Sequence, residues 1–174
     1  MLMFGKLVVR DGLSTLEYDD VMVYPQGLSR PSPTRDVPVE LASDYVEASR
    51  VLPYSAKASA ALTRRCLQAL LENYAKVKHG DLSAEIQEVL DTGGLPSHIA
   101  EAIDGIRNVG NFAAHPLKST QSGAIVDVED GEAEWLLDTL DSLFDFYFVQ
   151  PAATKRKKDA LNAKLKSLGK PPMK

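Results

Sequence analysis

Apolar residues recur every three or four positions through most of the chain after Pro38, which is the spacing of one face of an α-helix. Proline, glycine and capping residues divide this pattern into segments. The pattern predicts five helices, over about 39–52, 56–77, a short stretch that ends at Gly93-Gly94, 96–115, and 132–149. A succession of amphipathic helices is typical of an all-α helical bundle.

The second predicted helix carries the widest apolar surface. Its apolar residues form one face that is broadened on one side: Ala58, Leu62, Cys66, Leu67, Leu70, Leu71, Tyr74 and Val77. A surface this wide predicts a central helix that is contacted from more than one side. Ser55 is expected to cap its N-terminus, and Asp81 or Ser83 to cap the third helix.

The first 37 residues lack helical spacing. Two β-prone runs, 6–10 and 20–24, flank the turn signal Asp11-Gly12, and prolines then interrupt a stretch rich in Ser and Arg. The sequence therefore predicts three parts: an N-terminal arm with a short hairpin and a Pro-rich linker (1–37), a helical bundle (38–150), and a basic tail helix (151–174) that follows a break at Pro151.

The fifth predicted helix has two contrasting faces. Acidic residues recur every three or four positions along one of them, at Glu134, Asp138, Asp141 and Asp145. Most of the remaining circumference is apolar and rich in aromatic side chains. This aromatic load exceeds what a small bundle needs on its inner side, so we expect a homodimer contact here.

Composition narrows the class of protein. At 174 residues and 44% hydrophobic content, the chain suits one globular domain with extensions at its ends. No apolar run is long enough to span a bilayer, and the N-terminus has no signal-peptide pattern, so we expect no membrane association and a cytoplasmic protein. Cys66 is the single cysteine, which excludes an internal disulfide and a cysteine-based zinc site.

Charge is unevenly distributed along the chain. The last 24 residues contain eight Lys or Arg residues and one acid, Asp159, for a formal charge of +7, while the first 150 residues carry −11. A basic tail of this kind can bind nucleic acid, fold back onto the acidic body, or form a solvated helix. The sequence leaves these three possibilities open.

One polar stripe stands out in the fourth predicted helix. Asn108, Asn111 and His115 share a face at helical spacing, and Arg107 borders it. A histidine before Pro116 at a helix C-terminus can exchange protons, and a neighbouring arginine can bind a phosphate anion. This combination suits binding of RNA, or its cleavage without metal, with His115 and Arg107 as candidate catalytic residues and Asn108 and Asn111 as ligand contacts. The same residues can instead cap the helix and hold the bundle together.

Other polar residues give weaker signals. Arg64 and Arg65 are candidate phosphate contacts, although paired arginines on a helix often extend to solvent. His79 and His98 have no His or Cys partner at metal-ligand spacing, and Glu85 and Glu88 are expected on a solvated face, so we predict no metal site and no cofactor. Motifs of dinucleotide enzymes, ATPases, α/β-hydrolases and zinc proteases are absent from the sequence, and Cys66 is predicted to be a buried, inert thiol.

Three segments together resemble domain-of-unknown-function family 4145: 61–71, Gly94-Leu95-Pro96, and 106–116. The resemblance extends over about 38–149. It implies a HEPN-like helical bundle that is often dimeric, found in bacteria alone or fused to defence proteins. HEPN ribonucleases carry an Arg, often followed by a polar residue, and a His four to six residues later, and they pair two such motifs across a dimer to cut RNA without metal.

Arg107-Asn108 and His115 resemble that pair, but seven residues lie between Arg107 and His115, more than the HEPN pattern has. We therefore predict a HEPN-like protein that binds RNA or another phosphate-bearing ligand in a dimer cleft, in a bacterial defence or stress response. The alternatives are a non-catalytic module for dimerisation or for binding a partner protein of a defence system, and a metal-independent endoribonuclease.

Overall fold

The computed structural model describes residues 4–10, 13–19, 30–114, 128 and 130–173. Side chains are described for 30–107, 128 and 131–173. Of the residues between α4 and α5, the structure describes only the buried Val128.

Two short strands near the N-terminus form an antiparallel hairpin. Strand β1 is Phe4–Arg10 and strand β2 is Leu13–Asp19, with Leu7 opposite Leu16. The second strand thus comes earlier than the predicted run at 20–24, which lies outside the described residues. Strand β1 ends directly before Asp11-Gly12, and β2 begins directly after it. This spacing matches the two-residue hairpin connection that such a dipeptide favours.

Helices account for most of the described chain, and the prediction of an all-α fold is confirmed. The helices are α1 (Val39–Val51), α2 (Ala56–Leu70) with a π-helical turn (Leu71–Ala75), α3 (Leu82–Thr92), α4 (Ser97–Ala114), α5 (Asp130–Phe144) with a second π-helical turn (Asp145–Val149), and α6 (Gln150–Ser167).

Helix α2 is the centre of the bundle and packs against α1, α4 and α5, as its wide apolar surface predicted. Leu67, Leu70 and Leu71 are at most 1% exposed, and each contributes roughly 1.5–3 kcal/mol by burial. The same core contains Leu41 and Tyr45 of α1, Ile103 and Ile106 of α4, and Leu136, Leu137, Leu140 and Leu143 of α5. These contacts fix the positions of the polar groups at the ends of α2 and α3.

Capping side chains determine where α2 and α3 begin. The Ser55 hydroxyl accepts a hydrogen bond from the Ala58 N–H, and the Asp81 carboxylate accepts one from the Ala84 N–H. The prediction for Ser55 is confirmed, and Asp81 rather than Ser83 caps α3. Asp81 therefore fixes the point at which the loop after the first π-helical turn ends and α3 begins.

The predicted break at Pro151 is wrong, because the backbone is helical without interruption from α5 through the second π-helical turn into α6. Proline lacks an N–H, and its ring clashes with a carbonyl of the preceding turn in a regular helix. The wider π-helical turn directly before Pro151 provides a physical reason why the helix continues.

The segment at 30–37 packs against the helices. Arg30 donates to Asp138 at 2.5 Å and to Asp141 at 3.1 Å on the acidic face of α5. Asp36 accepts two hydrogen bonds from Arg156 of α6, at 2.8 and 2.9 Å. The acidic face of α5 and one basic residue of α6 therefore fasten this segment.

Across the described residues, the helices are too short or too polar for any of them to traverse a bilayer.

Candidate functional site

Arg107, the candidate anion contact on α4, is bonded within its own chain. Its side chain is 32% exposed and forms an ion pair with Asp104 at 2.7 Å, one turn earlier on the same helix. It also donates to the Gln87 side-chain oxygen on α3. The Gln87 contact connects α3 with α4, and the Asp104 pair lies within α4, so the guanidinium has a structural function in the described chain.

The structure describes the other members of the predicted stripe only in part. Asn108 and Asn111 lie on the helical backbone of α4, and their side chains are outside the described part. His115 follows the last residue of α4 and lies outside the described residues. Their assignment as ligand-binding or catalytic residues remains a prediction.

Arg64 and Arg65 are neighbours on α2 with different surroundings. Arg65 is paired with Asp44 at 2.7 Å and lies 3.7 Å from Glu47, both on α1. Arg64 is half-buried, and within the described chain it has no ion-pair or hydrogen-bond partner. Desolvation by burial lowers the pKa of the Arg64 guanidinium, and no carboxylate contact in the described chain offsets it.

Both arginines line a groove between α2 and the start of α3. Its volume is about 440 Å³, and Gln68, Gly80, Asp81 and Leu82 also line it. The Asp81 carboxylate in this groove is engaged by the first turn of α3. Arg64 is thus the one cation among the residues that line this groove whose charge has no acidic partner in the described chain.

A second polar cluster lies beside the groove, where α2 gives way to α3. Glu72 in the first π-helical turn, His79 in the connecting loop and Glu85 in α3 each present one oxygen or nitrogen atom within 4.8 Å of the others. His79 Nδ1 contacts Glu72 Oε1, and this hydrogen bond raises the pKa of His79. The cluster therefore joins three elements that are separate in sequence.

Glu85 is the buried member of this cluster, with 1% of its surface exposed. Its Oε1 atom accepts hydrogen bonds from the Gly80 N–H and the Gln68 amide, both at 3.0 Å. Its Oε2 atom is buried and has no hydrogen-bond partner in the described chain. The prediction that Glu85 and Glu88 lie on a solvated face is wrong, since Glu88 is half-buried and accepts from the Lys78 N–H.

The spacing of histidines and cysteines does not indicate this cluster, because two of its three members are glutamates. One signal was present in the sequence: a glutamate seven residues before His79 and another in the first turn of the next helix, across a loop with Gly80. A short loop between two helices brings such positions close together.

The remaining candidates are structurally ordinary. His98 is exposed in the first turn of α4. The Cys66 thiol is buried, lies 3.4 Å from the Leu41 carbonyl oxygen, and has its pKa raised to about 12 by desolvation. The prediction of a buried thiol is confirmed, and the raised pKa leaves very little nucleophilic thiolate near neutral pH.

A family model for a domain of unknown function, DUF4145, matches residues 46–168. No curated protein and no solved structure matches the chain. The matched range runs from the middle of α1 to the end of α6 and includes the groove at Arg64 and the cluster at His79. The chain belongs to the family of domains of unknown function DUF4145.

Proposed function

We propose that this domain is a non-catalytic RNA-binding protein that contacts the phosphate backbone through the groove at Arg64. The observation that carries the proposal is a half-buried arginine with no acidic partner among the described residues. Arginine has five N–H donors in a planar arrangement that matches phosphate oxygens. A phosphate bound in the groove would supply the counter-charge that Arg64 lacks.

The basic tail supports the same ligand. Helix α6 has no buried residues, and Lys155, Lys157, Lys164 and Lys166 are exposed along it. Lys157 and Lys164, seven residues apart, share one face of the helix. Exposed lysines attract a polyanion at long range and bind phosphates without sequence preference. Non-specific attraction by α6 and a specific phosphate contact at Arg64 would act together.

The family resemblance supports the finer parts of the proposal. These are a HEPN-like arrangement of the helices, a homodimer with the ligand in its cleft, and a place in bacterial defence or stress response. A cytoplasmic location is proposed from the sequence pattern rather than from the resemblance. Trp135, which is 50% exposed on α5, is a candidate residue for the homodimer contact. The contacts of Arg107 with Asp104 and Gln87 support binding rather than cleavage by an Arg107–His115 pair.

Arg64 and Arg65 provide a matched pair of variants for a test. Arg64→Ala is expected to weaken binding of a fluorescently labelled single-stranded RNA by roughly 10-fold, measured by anisotropy in EDTA. It should also reduce the slope of log affinity against log salt by about one. Arg65→Ala should change affinity far less, because Asp44 and Glu47 already neutralise that side chain. Sedimentation velocity on the same samples measures whether the protein is a dimer.

A double variant on α6 separates the groove from the tail. If Lys157→Glu with Lys164→Glu abolishes binding while Arg64→Ala leaves it intact, RNA binds to α6 alone and the groove proposal fails. Gel analysis of the same RNA shows whether it is cut. Cleavage that disappears in His115→Ala would contradict a non-catalytic function.

A further inference from the structure

We propose that Glu72, His79 and Glu85 form a binding site for a first-row divalent transition metal such as Zn²⁺. One imidazole and two carboxylates present ligand atoms within 4.8 Å of one another. A metal with bonds of about 2.0–2.2 Å to each ligand lies within reach of all three after small side-chain adjustments. The proposal does not depend on RNA binding.

The unpaired oxygen of Glu85 is the independent observation that points to a cation. Glu85 is 1% exposed, and its Oε2 atom has no hydrogen-bond partner in the described chain. A buried carboxylate oxygen without a donor or a counter-ion is destabilising, because burial removes its hydration without replacement. A metal ion at this position would compensate the buried charge.

The polypeptide around the cluster is already held in place. Gly80 is fixed on both sides, since its N–H donates to Glu85 Oε1 and its carbonyl accepts from the Gln68 amide at 3.1 Å. The Lys78 N–H donates to Glu88 at 3.2 Å. These contacts position His79 between the end of α2 and the start of α3. A site arranged before binding loses little conformational entropy when the ion enters.

The donor atoms indicate which metals fit. Imidazole nitrogen suits Zn²⁺, Fe²⁺ and Ni²⁺, whereas Mg²⁺ and Ca²⁺ prefer ligand sets made only of oxygen. Three protein ligands leave at least one coordination position for water or for a ligand atom. The His79 side chain is 83% exposed, so an ion can reach the site directly from solvent.

A simpler interpretation makes a different prediction. Glu72 and His79 can form an ordinary surface ion pair, and Glu85 can serve only to anchor Gly80. In that case the cluster would have no saturable affinity for a metal. Direct measurement of metal binding therefore separates the two interpretations.

The test uses the untagged full chain, with ZnCl₂, MnCl₂ or MgCl₂ as the probe. Equilibrium dialysis with elemental analysis should show one Zn²⁺ per chain, with weaker Mn²⁺ binding and no saturable Mg²⁺ binding. Loss of a ligand in His79→Ala or Glu72→Gln should weaken Zn²⁺ binding by at least about 10-fold. Zn²⁺ should raise the Tm of the wild type and of His98→Ala, and EDTA should reverse the shift.

The variants keep the result interpretable. His79 is exposed and Glu72→Gln preserves shape, so both variants are expected to fold, which circular dichroism checks without metal. Absence of saturable Zn²⁺ binding to the wild type would overturn the proposal. So would Zn²⁺ affinity that is unchanged in His79→Ala, or lost in His98→Ala or His115→Ala while His79→Ala retains it.

Discussion

Two polar regions differ in how completely their charged groups are paired. One is the polar stripe of α4, and the other is the junction between α2 and α3, which comprises the groove at Arg64 and the cluster of Glu72, His79 and Glu85. On α4, Arg107 is bonded to Asp104 and Gln87. At the junction, Arg64 has no acidic partner and Glu85 has one oxygen without a donor, among the residues that the structure describes. A paired group stabilises the fold, whereas an unpaired, partly desolvated group gains most from a ligand.

This difference depends on which side chains the fold brings together, not on which are neighbours in sequence. The polar residues of the stripe are close together in sequence, yet Arg107 at its edge contacts Asp104 one turn earlier and Gln87 on the adjacent helix. The junction collects its residues from α2, a loop and α3. For Arg107, closeness to other polar residues in sequence therefore gave no sign that its side chain is engaged by Asp104 and Gln87.

Glu85→Ala is the strongest test of the junction's structural contribution. In EDTA, it should lower the free energy of unfolding by about 2 kcal/mol, because the Gly80 N–H and the Gln68 amide lose a charged, buried acceptor. Urea denaturation followed by circular dichroism measures the change. Glu88→Ala, on the same helix with one backbone contact, should cost less than about 1 kcal/mol. Equal losses in the two variants would show that burial of Glu85 has no special importance.

Arg107→Ala tests the other side of the comparison. The variant should lower the free energy of unfolding by about 0.5–1 kcal/mol, because a partly exposed arginine loses an ion pair within α4 and a hydrogen bond to α3. Arg50→Ala, exposed in the last turn of α1, serves as the control with little change. If Arg107→Ala left stability unchanged and weakened RNA binding as much as Arg64→Ala does, the proposed difference between a structural Arg107 and a ligand-binding Arg64 would be wrong.

Much of the helical architecture could be predicted because it depends on local signals. The spacing of apolar residues identified α2 as the central helix, and the Ser55 cap follows from the preference of helix N-termini for hydroxyl side chains. Burial of Cys66 follows from its place on the apolar face of α2. Each of these predictions needed only residues within a few turns of one another.

Predictions failed or were missing where the outcome depends on contacts or backbone geometry that residue spacing does not show. Glu85 has the sequence context of a solvated residue, but in the folded chain it is buried and accepts from the Gly80 N–H and from the Gln68 amide on α2. Pro151 normally ends a helix, but a π-helical turn precedes it and the helix continues. Arg30 lies 108 residues from Asp138, which it contacts. Sequence spacing carries no information about pairs this far apart.

Arg64→Met has the smallest expected effect on stability, and it directly tests whether Arg64, unlike Arg107, lacks a stabilising partner in the folded chain. Methionine keeps much of the length of the arginine side chain and removes a charge that is half-buried without a partner in the described residues. The free energy of unfolding should therefore stay within about 0.5 kcal/mol of the wild-type value or rise slightly, whereas Arg107→Ala lowers it. Urea denaturation of both variants in one buffer gives the comparison. A loss above about 1 kcal/mol in Arg64→Met would mean that Arg64 already has a stabilising partner in the folded chain, and the groove would then lack the free cation on which RNA binding at this position depends.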